Sequence, residues 1–274
     1  MGLGCNIEKV LLRSITTRLP VFRGSGAIAN QFAKFFARKP RPNYISKFHG
    51  VLLEVNPHEV SESELLFAPQ LYDRVEFDFL KSNIKKGDTF VDLGACIGCY
   101  TLVGAKLVGE QGRVVAVEAV PENYEILGRN IKLNKLNNVS AMNVGVLDSN
   151  RKHRISVSIR KNDKRFKRGL NSFLRTYPQY RDVECYTLYS LMKRLAINRI
   201  DSLKIDIEGL EFRVLNTFFR EAKESITLPR FIILEQSPKF VGLEGNAVRL
   251  LLDNGYQIVR TIRYSNNYIL HRVI

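Results

Sequence analysis

Lys204, Asp206 and Glu208 stand at alternate positions of the segment SLKIDIEGLE, residues 202–211, which otherwise reads as a buried strand. Alternate residues of a strand share one face. A strand covered on both sides in an α/β protein is normally a near-continuous apolar run, so three charges on one side need partners or a task. The task such a set could perform is proton handling. A carboxylate at a strand tip can orient a hydroxyl and take its proton, and a neighbouring ammonium keeps that carboxylate ionised. Asp206 is the first candidate for base or substrate orienter, with Glu208 and Glu235 of IILEQ as neighbours and Lys204 as the stabilising charge. Two other readings stay open. Lys204 and Asp206 could simply pair at a strand end, with Glu208 in solvent. Three carboxylates at neighbouring strand tips could also hold a divalent metal that binds two sugar hydroxyls, although metal is not the preferred reading. No histidine falls near these strand ends; His49, His58, His153 and His271 read as surface or packing residues.

A second constellation lies upstream. In GDTFVDLGACIGCYTLVG, residues 87–104, a short apolar strand ends in Asp92, passes through a Gly94-x-x-x-Gly98 turn and enters a helical pattern. Glycines let a backbone approach a ligand closely, and the helix start offers free N–H groups. The spacing is neither G-x-G-x-x-G nor G-x-x-x-x-G-K-[ST], so a dinucleotide fingerprint and a P-loop are unsupported and a different adenosine ligand is indicated. The next strand ends in Glu118 and is followed by Pro121, which suits a first helical turn. An acid at that strand tip commonly accepts hydrogen bonds from ribose hydroxyls.

With these residues in place, the chain resembles the FkbM family of S-adenosylmethionine-dependent methyltransferases. The resemblance is carried by VDLGACIGCYTLVGAKLVG at 91–109, VAVEAVPENYEILGRNIKLNKLNNV at 115–139, LKIDIEGLEFRVL at 203–215 and IILEQ at 232–236, and covers roughly residues 48–260. KIDIEG is its most specific part. Cys96 and Cys99 occupy positions where the family more often shows Asn and an aromatic residue. The resemblance implies a class I methyltransferase fold: a Rossmann-like doubly wound α/β sheet, mostly parallel, with an antiparallel C-terminal hairpin strand. It implies S-adenosylmethionine as cofactor, with Asp92, Gly94, Ala95 and Gly98 on its methionine side, Glu118 and Ala119 at the ribose, and backbone at Val146 and Leu147 framing the adenine. It also places the GLNSF segment beside the acceptor, making Asn171 and Ser172 substrate-site candidates; Tyr72 and Glu76, read as one turn apart on one helix face, join them.

The elements that must position these groups follow from pattern. At 274 residues, 45% hydrophobic and 25% charged, the chain has an ordinary globular balance and room for one large core. From Thr89 onward strands alternate with helices, which signals a mostly parallel sheet with right-handed crossovers; YQIVRTI and NNYILHRV are close enough to form a hairpin. Ligands of such sheets bind outside the carboxyl ends of the strands, which gathers both constellations at one crevice. A methyltransferase domain is expected over 48–274, with a basic insertion at about 149–200, preceded by a basic helical or irregular extension over 1–47. KPRPN at 39–43 marks the boundary, and one helix is expected from about Glu62 to Asn83.

The formal charge of +15 is uneven: residues 1–48 carry nine Lys or Arg against Glu8, and residues 151–181 carry eleven against Asp163. Such segments attract phosphate, RNA or an anionic membrane surface, or simply solvate the protein. Ile28, Phe32, Phe35 and Phe36 could form an apolar stripe that docks on the core or lies on a membrane. Four cysteines, at 5, 96, 99 and 185, make no disulfide framework, so a cytoplasmic protein, peripheral to the membrane at most, is expected. Cys96-Ile-Gly-Cys99 reads as packing rather than as zinc or redox chemistry. The expected activity is O-methylation of a hydroxyl on a glycan, glycolipid or small molecule. An RNA methyltransferase using the basic segments and a non-catalytic cofactor-binding scaffold are the alternatives.

Overall fold

A computed structural model describes residues 43–157, 179–223, 225–239, 241 and 245–273. The chain opens with a hairpin of β1 (Tyr44–Phe48) and β2 (Val51–Val55). Phe48 faces Val51 in register, leaving His49 and Gly50 as a two-residue loop. Both have positive φ, 42° and 84°, as a tight hairpin turn requires. Two helices follow, α1 (Val60–Phe67) and α2 (Arg74–Asn83).

The sequence pattern predicts one helix here. Pro69 explains the break: a residue before proline is excluded from helical geometry, and Ala68 sits at φ −140°, ψ 52°. In consequence Tyr72 lies in the connecting turn and Glu76 in the first turn of α2, so the two do not share a helix face as expected. The hairpin also crosses the expected boundary at residue 47, because β1 belongs to the same unit as β2.

The alternating part then runs β3 (Thr89–Leu93), α3 (Cys99–Val108), β4 (Arg113–Val117), α4 (Pro121–Leu133), β5 (Val139–Met142), β6 (Gly145–Val146), β7 (Arg151–Val157), β8 (Gln179–Tyr186), α5 (Leu188–Arg194), β9 (Ser202–Ile205), α6 (Glu211–Ala222), β10 (Phe231–Glu235), α7 (Ala247–Asp253), β11 (Tyr256–Ile262) and β12 (Asn267–Arg272). Pro121 opens α4 as expected. VSAMNVGV, which reads as one strand, is divided: β5 joins the main sheet, whereas β6 pairs with β8.

Seven strands form the main sheet in the order β11-β12-β10-β9-β3-β4-β5. β5, β4, β3, β9 and β10 are mutually parallel, and β12 runs antiparallel between β10 and β11. This is the class I methyltransferase arrangement. The period-two pleat sends neighbouring residues to opposite faces. Phe90, Phe231 and Ile233 enter a core shared with the hairpin, α2 and α3; Val91, Ile232 and Leu234 enter a second core built with α5, α6 and α7. Asn267 stands opposite Glu235 in register, so the closing hairpin delivers an amide to the carboxyl edge of the sheet. A smaller sheet, β6-β8-β7, takes β7 and β8 from the expected insertion and β6 from just before it. Asn171 and Ser172, the apolar stripe at 28–36 and most of the extension lie outside the described residues.

Candidate functional site

Two turns meet at the carboxyl edge of β3 and β9. The first leaves β3: the N–H groups of Gly94 and Ala95 both donate to the Val117 carbonyl, at 2.9 and 3.0 Å, which folds the turn onto the tip of β4. The second leaves β9, where Asp206 N–H donates to the Leu93 carbonyl at 3.1 Å. They touch so closely that a Cβ on Gly94, whose φ is +83°, would lie 1.9 Å from the Asp206 carbonyl oxygen. Glycine is required there for reach and for backbone conformation alike. The second turn is held by Glu211, whose Oε1 accepts from the N–H groups of Ile207 (3.0 Å) and Gly209 (3.1 Å), while Glu208 takes a left-handed φ of 56°.

Between the turns lies a cavity of about 70 Å³ walled by Asp92, Gly94, Ala95, Cys96, Tyr100, Lys204 and Asp206, with Glu62, Tyr72 and Asp73 brought in by α1 and the turn before α2. Asp92 is buried and accepts from Thr101 Oγ1 at 2.6 Å. Burial pushes its carboxyl up to about 6, against the Thr101 bond. Lys204 is buried with its Nζ 3.2 Å from Asp206 Oδ2 and 5.2 Å from the centre of the Tyr100 ring. Burial alone would lower the Lys204 pKa; Asp206, then Glu235, Asp73 and Asp92, outweigh that and hold the ammonium above its ordinary value. Glu235 is pushed to about 9 by burial and then by the Asp206 charge, to which it is also hydrogen-bonded. The Lys204–Asp206 pairing foreseen as a bland alternative is present, but it is a wall of the cavity, with Asp206 still 35% exposed along its side chain.

Glu118 stands at the tip of β4, buried. Its Oε2 accepts from Cys96 N–H and its Oε1 from Val120 N–H, each at 2.8 Å, with Asn123 Nδ2 at 3.4 Å. A carboxylate offers about four lone-pair sites, so these bonds orient it and leave capacity for one donor more. Burial raises it to about 7 even so. Asn143 Nδ2 donates to the carbonyls of Glu118 (2.8 Å) and Ala119 (3.3 Å), fixing the strand end. Val146 and Leu147 are buried beyond that point, with Leu147 N–H on the Tyr186 carbonyl at 3.0 Å, and neither borders the cavity. Gly98, at φ 101°, starts α3. Burial raises both Cys96 and Cys99 well above the ordinary thiol range, the opposite of a reactive pair.

Of the acceptor-side candidates, Tyr72 borders the cavity, whereas Glu76 is fully buried and accepts from Asn267 Nδ2 at 2.6 Å. Sequence reasoning missed Glu62, Asp73, Tyr100 and Glu211. For Glu211 a signal existed, a carboxylate two residues past a turn glycine; nothing in spacing brings Asp73 or Glu62 to β9. Among the described residues no group of three or more His, Cys, Asp or Glu side chains is arranged to hold a metal ion, and no helix is long and apolar enough to cross a membrane.

The chain is similar to known methyltransferases over much of its length. Residues 92–258 match the model of the methyltransferase FkbM domain, and residues 21–149 match that of protein-L-isoaspartate(D-aspartate) O-methyltransferase. A curated relative, methyltransferase sdnD of Sordaria araneosa, is 27% identical over 206 residues, covering 65% of this chain and 77% of its own. A protein-L-isoaspartate O-methyltransferase of Methanothrix thermoacetophila is 25% identical over 114 residues, 41% of this chain; the match spans about half of that relative, 53%. Among solved structures, the fibrillarin of Aeropyrum pernix with natively bound S-adenosyl-L-methionine aligns at 14% identity and a TM-score of 0.42, over 73% of this chain and 74% of that one.

Proposed function

We propose, from the premise that the chain belongs to the FkbM methyltransferase family, that this S-adenosylmethionine-dependent methyltransferase methylates a hydroxyl of a glycan, glycolipid or other small molecule, with Asp206 as the group that receives the hydroxyl proton. The observation that carries this reading is the Lys204–Asp206 pair at the wall of the glycine-lined cavity.

The residues present fit the cofactor. S-adenosylmethionine carries two positive charges, on sulfur and on its amino group, against one carboxylate, and the cavity wall likewise carries an excess of the opposite sign: four carboxyl groups, Glu62, Asp73, Asp92 and Asp206, beside the one ammonium of Lys204. The close-packed Gly94 turn offers backbone without a side chain in the way. Glu118, oriented by two backbone N–H groups, has capacity for a ribose hydroxyl. Gly94, Ala95 and Gly98 would line the methionine side, Ala119 the ribose beside Glu118, and Val146 and Leu147 the adenine side.

When bound, the cofactor supplies a methyl group already made electrophilic by the sulfonium charge, so no leaving group needs protonation. What the chain contributes is alignment and a destination for a proton. Asp206 Oδ2 lies 3.2 Å from the Lys204 ammonium, and burial with the Asp206 charge pushes the neighbouring Glu235 above the ordinary carboxylate range, so that Glu235 favours its neutral form beside Asp206. A hydroxyl held at Asp206 would give up its proton to that carboxylate, the methyl–sulfur bond of the cofactor breaking as the hydroxyl oxygen takes the methyl group. The RNA alternative draws no support from the described part of the second basic segment, where Lys152, Arg154 and Arg181 pair with Glu184, Asp182 and Glu122.

The test uses methyl-labelled S-adenosylmethionine with a fractionated cell extract and compares the protein with its Asp206→Ala variant. Label entering a nuclease-resistant glycan, lipid or small-molecule pool, and lost in the variant by roughly 10²- to 10⁴-fold, is the expected result. Label entering an RNase-sensitive pool, or unchanged transfer by the variant, refutes the reading.

A further inference from the structure

Asp73 is an oddity of the fold. It occupies the N-cap of α2, where an aspartate ordinarily sits in extended backbone and accepts from the first helical N–H groups. Here φ and ψ are both 41°, in the left-handed region, and the side chain makes no capping bond. Its Oδ2 instead accepts from Tyr100 Oη at 2.9 Å, across from the start of α3. Its other oxygen has no hydrogen-bond partner among the described residues, and Asp73 forms part of the cavity wall with Asp92 and Gly94. The local structure thus forgoes a helix cap and accepts a rare backbone conformation, a pairing that marks sites where geometry serves a ligand. Burial, and then nearby Glu76, raise the Asp73 carboxyl to about 7, so in the free protein its charge is under-compensated.

The geometry points to Asp73 as the partner of the cofactor's amino group: its free carboxylate oxygen, with the other held by Tyr100, receives the α-ammonium of the methionine moiety in the cavity that Gly94 also lines. This rests on the cofactor reading above and adds to it a residue outside the glycine turn and strand tips, one contributed by the segment that precedes the alternating sheet. Lys204 cannot do this work, because it is itself a cation and is committed to Asp206. Asp92 is turned toward Thr101. Glu62 Oε2 accepts from Asn56 N–H at 2.6 Å, whereas Asp73 has one donor, Tyr100 Oη, on Oδ2 alone.

Three ligands separate this role from any other: S-adenosylmethionine (ammonium and sulfonium), S-adenosylhomocysteine (ammonium alone) and 5′-methylthioadenosine (neither). Their dissociation constants are measured by titration calorimetry on the full chain and on Asp73→Asn. Asn tolerates left-handed backbone nearly as well as Asp, and Asp73→Gly, which accepts it freely, serves if Asp73→Asn unfolds. The expected result is a loss of roughly 10- to 100-fold for the first two ligands, the range of a charge-assisted hydrogen bond, with 5′-methylthioadenosine unchanged. Equal loss for all three would make Asp73 a structural residue. Loss for S-adenosylmethionine alone would assign it to the sulfonium, and no loss would remove it from the site; each overturns the proposal. If the unaltered protein binds none of the three, the cofactor reading fails first and takes this one with it.

Discussion

Replacing Gly94 by alanine tests whether the two turns form one site. The added Cβ would begin 1.9 Å from the Asp206 carbonyl oxygen, and an ordinary carbon–oxygen contact is about 3.3 Å, so the turns must part by roughly 1.4 Å. Alanine at φ +83° adds about 1–2 kcal/mol of backbone strain, and overpacking of this kind costs about 1–3 kcal/mol. Together they lower stability by roughly 2–5 kcal/mol, or about 5–15 °C of unfolding midpoint for a chain of this size. The displacement falls on the Asp206 backbone, and misplacement by about 1 Å costs on the order of 10² in rate. Calorimetric titration with S-adenosylmethionine and thermal unfolding measure the two effects. Gly128→Ala is the control: it lies inside α4, a Cβ there meets nothing within 4 Å, and the change should stabilise by about 0.5–1 kcal/mol. A Gly94→Ala protein that melts and binds cofactor like the unaltered one would show that the contact between the turns is not what shapes the site.

Other perturbations reach the same region. Lys204→Met leaves Asp206 without its ammonium and should cost about 1–3 kcal/mol, less than a fully buried pair because Asp206 is 35% exposed along its side chain; methyl transfer should fall with it, as measured in the labelled-donor assay. Glu211→Ala removes the acceptor of two backbone N–H groups and should cost roughly 2–4 kcal/mol in denaturant unfolding. Asp92, Asp73 and Glu118 have folded-state values raised to about 6, 7 and 7 from ordinary values near 4. The native state therefore binds more protons than the unfolded one, and their contribution is complete below pH 4 and lost as pH rises through 6 to 7. Through these groups the free protein's unfolding free energy should fall from about pH 4 to pH 7, partly offset by His49 and His153, whose lowered values act in the opposite sense. Saturating S-adenosylmethionine, by favouring the ionised carboxyls, should flatten that fall.

The parts of this structure legible in the sequence are those governed by local rules. The alternating strands and helices, the glycine turn, the acid at each strand tip and the antiparallel closing strand follow from period, turn chemistry and short connections. The helix predicted over Glu62 to Asn83 failed at a local rule underweighted against apolar period, the exclusion of helical geometry before Pro69. The division of VSAMNVGV between two sheets is of another kind, because only tertiary pairing of Gly145 and Val146 with β8 decides it. Asp206, Lys204 and Glu235 were recoverable because a charge on a buried strand breaks an expected pattern. Asp73 and Glu62 were not: before α2 and on α1, an acid is what any helix start carries, and only folding the segment over the Gly94 turn distinguishes them.

The place of β12 has a consequence for how the chain is made. β11 leaves the ribosome before β12, yet β12 is the strand that lies between it and β10. Until β12 is synthesised and slots in, β11 has no neighbour in the sheet and Glu235 lacks the Asn267 that faces it. β11 presents Ile258 and Val259 to solvent even in the finished fold, so the nascent chain passes through a stage with two unpaired strand edges, that of β11 and that of β10, at once. A stalled or shortened translation product ending before residue 267 would keep the glycine turn and Asp206 while exposing both edges, and would be a substrate for chaperones before it could be an enzyme.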